Sequence, residues 1–486
     1  MTDNAGLEPS DSRKGAREME SNTESKTTKT GTGRRSHLPT AVRTIAPAIP
    51  LGIALVHGAI VHQQASPGSL QEISASQPSL QDCGSSVPCP LAAKGQPVMW
   101  WFVFKLNARS FPACGGAQRS CPFGGEVQTT ATYSKFGQQF VFATNEHPNL
   151  EDGTSGCLGD STSDPVGATF DEVYHGNYYY VIWNDQPYGD PDIGACTSGG
   201  NCGGPWGHSK GMAAWNDDGE GFVMQVSTPS WPEAGSAKFP RQNDGNSLGC
   251  VKDNDVTFSQ HFFALRLNKD DMAMVLKGLA NASVVTDPDN KQVVNNGGPS
   301  DIQQLVDSLG KKSDSEALVE GTLSSGVRFI SKPSAMHVPV WQMVSAQLGS
   351  VSLRTATFWA SPKIPTTTDD TVPDCWDESL GTPGPVEIAT SGIWKQTSFD
   401  LTGAPGGNHA KIGISITGST PYAIFGDENQ QGTLDGTCKS SQNGRGGTFY
   451  ALTNSKLAGD IRSLLTGSTA PASSGGQSAS GNDNTE

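Results

Sequence analysis

The sequence predicts an α/β (α+β) protein whose two halves share one cleft, and three observations carry that expectation. Apolar runs of strand length recur between turn-rich segments, with only a few stretches at helical spacing. The segment Gly207-His208-Ser209-Lys210-Gly211 is echoed by Asn408-His409-Ala410-Lys411-Ile412, in a chain with only 9 histidines. Each copy runs into a mixed apolar run, where residues i and i+2 of an extended strand point to the same face. Each motif can therefore aim an imidazole and an ammonium into a common cleft.

Taken in order, residues 1 to about 40 are polar and lack an apolar pattern, which reads as disorder. Residues 41–62 are apolar and follow Arg34 and Arg35; they read as a signal sequence or signal anchor, and Gly33–Leu38 is similar to a twin-arginine export signal. Pro47, Pro50, His57 and modest length disfavour a stable membrane span. A Ser/Gln-rich linker reaches residue 80, and 81–300 form the expected first half. Its strands are predicted at 97–106, 138–142, 178–183 and 221–227, with short helices at 258–267 and 302–309, the last at the start of the second half, 301–465. That half continues with a helix at 335–348, strands at 353–359 and 421–429, and a helix at 457–465. Residues 466–486 are a Ser/Gly/Asn tail.

The 58 glycines and 31 prolines fit a loop-rich extracellular protein. The 10 cysteines contain no C-x-x-C, and the close pairs Cys83/Cys89, Cys114/Cys121 and Cys196/Cys202 suit loop-closing disulfides in an oxidising compartment. No Asp, Glu, His and Cys set has metal-ligand spacing, so neither a metal nor a cofactor is expected; Asp217 and Asp218 belong to a hairpin turn. Asn281-Ala282-Ser283 is read as a chance glycosylation sequon. A net charge of −15 opposes polyanion binding at neutral pH, and the opposition fades near the pI of about 5.0.

Several blocks resemble the deoxyribonuclease II family. They are Gly95 to Leu106, Trp183-Asn184-Asp185-Gln186-Pro187-Tyr188, Gly207 to Met212, Asn408 to Ile412, Gly426 to Gln430 and Arg445-Gly446-Gly447-Thr448. The resemblance, over roughly residues 83–465, implies a phospholipase D-like pseudodimer and a metal-independent, acid-active DNA endonuclease in a secreted, periplasmic or lysosome-like acidic compartment. It departs from the family pattern at Gln225, where the family has histidine, and at Met99, where it has aspartate. By the resemblance, DNA is the substrate, one of His208 and His409 attacks phosphorus and the other protonates the leaving oxygen. Lys210 and Lys411 would clamp the non-bridging oxygens. Asp427 and Asn429 would fix a lysine or orient a histidine, or else cap a turn, and Arg445, in a glycine-flanked loop, would touch a DNA phosphate or else be solvated. Trp100, Trp101 and Trp183 are expected in the core. An inactive polyanion-binding relative and a phosphodiesterase with another substrate are the alternatives.

Overall fold

The structure, a computed structural model, describes residues 82–111, 139–153, 161–186, 202–229 and 258–472, with 80, 158, 159, 193, 231 and 232. The leader expected at 41–62 and the end of the tail lie outside the described residues. In chain order the elements begin with β1 (Leu91–Ala93), β2 (Gln96–Pro97), β3 (Trp100–Lys105), β4 (Phe140–Thr144), β5 (Glu151–Asp152), α1 (Pro165–Tyr174) and β6 (Tyr179–Asn184). They continue with β7 (Lys210–Trp215), β8 (Gly221–Val226), β9 (Gln260–Leu267), α2 (Lys269–Asn281), β10 (Val294–Asn295) and α3 (Ser300–Asp307). Then come β11 (Val319–Thr322), β12 (Arg328–Lys332), α4 (Val340–Gln347), β13 (Leu353–Ala356), β14 (Val386–Ile388), β15 (Ser391–Trp394) and β16 (Thr397–Asp400). The last are β17 (Ile412–Ser415), β18 (Tyr422–Gly426), β19 (Gly447–Thr453) and α5 (Ser455–Leu464).

Two large sheets result. The first has eight strands in the order β10-β6-β7-β8-β9-β3-β4-β5, all antiparallel. The second has seven in the order β11-β12-β19-β18-β17-β13-β14, and only β13–β14 is parallel. The sheets pack through an aromatic layer. Phe425 stacks on Phe102 and Phe263 at 4.6 and 4.4 Å between ring centroids, and Tyr450 lies 5.7 Å from Phe263. Alternation along each strand sends the next residue outward: Trp101 Nε1 donates to Thr169 of α1, and Phe449 meets Trp341 of α4. Helix α2 packs on strands of both sheets.

Residues 258–267 are the main correction to the predicted elements. They form a strand, β9, and not a helix. Every residue of β9 is buried because it lies inside the first sheet, with Phe262 against Trp231 on one face and Phe263 on the aromatic layer. A strand apolar on both faces lacks the period-2 signature, so its run is ambiguous with a buried helix. The other predicted strands and helices are present with shifted ends; the helix expected from 335 begins only at Val340, after Pro339. Packing continues beyond 465: Ala470 N–H donates to Ile388 O, and Thr366 bridges Ala472.

Trp100, Trp101 and Trp183 are buried, and Asn216 closes the β7–β8 hairpin by accepting from Asp218 and Glu220 N–H groups. Asn281 is buried with its amide on Ala317 O and Ser331 O, which removes it as a glycan acceptor in the folded protein. Cys83 pairs with Cys89, and Cys375 with Cys438 across the second sheet's loops. Cys202 is also disulfide-bonded; the Cys114/Cys121 pair lies outside the described residues. No described helix is long and apolar enough to cross a membrane.

Candidate active site

The two His-x-Lys motifs lie just before the strands they were expected to occupy. Lys210 opens β7, and Lys411 directly precedes β17. The reason is that each histidine spends its backbone N–H on the opposite half of the chain. His208 N–H donates to Gly446 O at 2.8 Å, and His409 N–H donates to Ser259 O at 2.8 Å. The approach is close enough to exclude side chains: a Cβ on Gly207 would sit 2.5 Å from Ala282 O, and one on Gly446 2.3 Å from the same atom. The glycines beside the motif are therefore steric requirements of the docking.

The two motifs meet at the end of β18, where His208 Nδ1 lies 2.7 Å from Asp427 O and Gly426 N–H donates to Lys411 O at 2.9 Å. His208 responds to Lys411 as well as to Lys210, and His409 responds to Lys210 as well as to Lys411. Both imidazoles are half-buried, while Lys210 and Lys411 are 2 and 3% exposed. Burial holds His208 well below the usual histidine value, aided by Lys210, Lys411 and Arg445 and opposed by Asp185. Burial likewise depresses His409, with Lys411, Lys210 and Lys105 adding to it. Both rings thus favour the neutral form until an anion arrives.

What holds each ring differs. His208 Nδ1 lies 2.7 Å from the backbone oxygen of Asp427, which can only accept, so Nδ1 carries the proton and Nε2 keeps its lone pair. His409 is stacked face-on against Phe258 at 4.1 Å and edge-on to Phe358 at 4.9 Å, with the Gln260 amide nitrogen 3.4 Å from Nδ1. Beneath it, Lys411 Nζ donates to His409 O at 2.7 Å, and Lys411 N–H donates to Nδ1 of the buried His261.

Asp427 lies beside the site, but its carboxylate does not meet a histidine or form a salt bridge with a lysine. It accepts from Thr448 N and Oγ1, both at 2.7 Å, from Gln225 Nε2 at 3.0 Å, and from Ser209. Burial raises its proton affinity to about 6 despite those donors. Asn429 sits further on, bonded through Nδ2 to Gln431 and through its N–H to Gln442. Arg445 is not a solvated loop residue. Its Nε donates to Trp206 O, and its Nη2 to Asp185, Cys202 O and Gly207 O.

The profile of the family described as deoxyribonuclease II matches residues 89–469. The chain belongs to this family. It accordingly has the phospholipase D-like pseudodimer fold, in which two α/β halves face one cleft; of the two large sheets, the eight-stranded one is wholly antiparallel and the seven-stranded one mixed. The family places it among nuclease-type hydrolases with DNA as substrate. No curated protein matches the chain significantly.

Several residues that contact the His-x-Lys segments in this deoxyribonuclease II-family chain are not singled out by the sequence. Gln225 is more than a departure from the family pattern, since its amide holds Asp427. Asp185 falls in the turn-forming Asn184-Asp185-Gln186-Pro187, although a carboxylate before a Gly/Cys loop leading to a His-x-Lys is a signal in itself. Lys105, Gln260 and His261 lie in apolar runs, where a buried polar residue needs a partner and so marks a candidate contact.

Proposed function

We propose that the chain is a metal-independent acid endodeoxyribonuclease working through a phosphohistidine, with His208 as nucleophile and His409 as general acid. The observation that carries this reading is the tautomer of His208, whose Nδ1–H is committed to Asp427 O and whose Nε2 lone pair is available. Nε2 attacks phosphorus while His409 gives its proton to the departing 5′ oxygen, so the P–O bond breaks without expelling a free alkoxide. Lys210 and Lys411 stabilise the non-bridging oxygens as charge builds on them. The phosphorylated imidazolium keeps its Nδ1–H on Asp427 O. Water then loses a proton to His409 and attacks phosphorus, and the P–N electron pair returns to Nε2. The products carry a 3′-phosphate and a 5′-hydroxyl.

The disulfides and the acidic pI fit a secreted, periplasmic or lysosome-like acidic compartment, which we propose as the place of action. We further propose that each sheet with its helices is one half of the pseudodimer.

Supercoiled plasmid incubated at pH 5 with excess chelator is expected to be nicked and then linearised. Its new ends should be extended by a polymerase only after phosphatase treatment. Cleavage abolished by chelator and restored by magnesium would overturn the reading. Retention of DNA without cleavage would favour a binding protein instead.

A further inference from the structure

Resting on that reading, we propose that Asp185, strapped in place by Arg445 from the second half, is the residue that positions the Lys210 ammonium for the substrate phosphate. The cation would then be set only when the halves are docked. Asp185 is the residue immediately after β6, and the antiparallel register of β6 and β7 pairs its neighbour Asn184 with Lys210. One carboxylate oxygen receives Lys210 Nζ at 2.5 Å, and the other receives Arg445 Nη2 at 2.8 Å. Asp185 is 0% exposed, so an unpaired charge there would be costly, and two cations sharing it keep it ionised.

Arg445 does more than neutralise. Its remaining contacts are the carbonyls of Cys202, Trp206 and Gly207, the stretch that delivers His208. Its own backbone is fixed from behind, because the buried Lys332 donates to the carbonyls of Asn443 and Arg445. A planar fork reaching one carboxylate and three carbonyls is a task for arginine and not for lysine. The Lys210–Asp185–Arg445 group keeps one net positive charge, which is what a phosphodiester anion needs. The charged groups facing His208 are Lys210 and Asp185 from its own half and Lys411 and Arg445 from the other, with Asp427 O on Nδ1. Asp185 favours the imidazolium, so its removal has a sign that can be read.

The test compares Asp185→Asn, Lys210→Met and the double variant. Misplacing a catalytic cation by about 1 Å costs on the order of 100-fold in kcat/KM. Asp185→Asn is therefore expected to lose about 100-fold, Lys210→Met at least as much, and the double variant no more than Lys210→Met alone. Independently of turnover, the NMR titration midpoint of His208 should move to lower pH in Asp185→Asn, and binding of inorganic phosphate at pH 5 should weaken about 10-fold. Losses that multiply in the double variant, or a His208 midpoint that stays in place, would overturn the proposal. If Asp185→Asn does not fold, Arg445→Gln leaves the Asp185–Lys210 pair but removes the strap. It should weaken phosphate binding and be non-additive with Lys210→Met; additive losses would again overturn the proposal. A wild-type protein that binds phosphate and shows these shifts without cleaving DNA would refute the nuclease reading and leave the positioning role standing.

Discussion

At the scale of single residues, the two histidines are alike in sequence and unlike in surroundings. His208 meets a carbonyl at Nδ1, whereas His409 meets an amide and two phenyl rings. Nucleophile and acid act in one sequence of steps, so His208→Ala and His409→Ala are each expected to lower kcat by about a thousandfold or more. Both rings are half-buried at strand starts, and circular dichroism of the variants should match wild type. Near-normal cleavage by either would refute the shared site. Gln225 supports the same atoms from below, since its amide donates to Asp427 Oδ1 and to Thr448 O, both at 3.0 Å. Gln225→Leu keeps the volume but strips a donor from a buried carboxylate. Denaturant unfolding should show a loss of about 1–3 kcal/mol, with reduced cleavage, because Asp427 O holds His208. A variant as stable as wild type would show that Asp427 does not depend on that donor.

At the scale of elements, β18 joins fold and site: Phe425 fills the aromatic layer between the sheets, and Asp427 follows two residues later. Phe425→Ala should cost about 3–5 kcal/mol, as a large side chain lost from a core does. Cleavage should fall with it, since the layer keeps the halves in register; a destabilised variant with unimpaired activity would separate the two. The same elements show what the sequence made legible. The His-x-Lys echo is legible without any element assignment, because such a pattern survives any error in element type, and it is the basis of the candidate site. Strand β9 was misassigned because burial on both faces erased its alternation. Helices α1 and α2 went unforeseen although their starts are written in the chain. Asp164 precedes Pro165 and caps Gly167 N–H, and Asn268 caps Asp271 N–H. The Arg445–Asp185 contact was beyond reach, since it joins residues 260 apart in sequence through the docking of two sheets.

At the scale of the whole molecule, pH acts on charge, chemistry and stability together, and the three can be separated. Activity should follow a bell with its optimum at roughly pH 4.5–6. Both histidines titrate well below the usual value, so above that range the acid lacks its proton, and a chain with a pI of about 5.0 increasingly repels DNA. Stability also changes. Burial raises Glu172 and Glu428 to about 8 and Asp427 to about 6. Carboxyls raised in the folded state contribute stability that is complete below their unfolded values and is lost as pH rises through 6 to 8. The depressed histidines work the other way: their contribution is present above about 6.5 and is lost as pH falls through their folded values. Between these regions the two sets oppose one another, and above 6.5 the carboxyls act without the histidines. Tm should therefore fall from pH 6.5 to 8. Glu172→Gln keeps an oxygen for Cys89 N–H while removing one of these titrations, so Tm should fall less steeply in that variant. Its cleavage at pH 8 should stay as low as wild type, because Glu172 touches neither histidine. If Glu172→Gln restored cleavage at pH 8 along with Tm, unfolding and not histidine titration would set the alkaline limb.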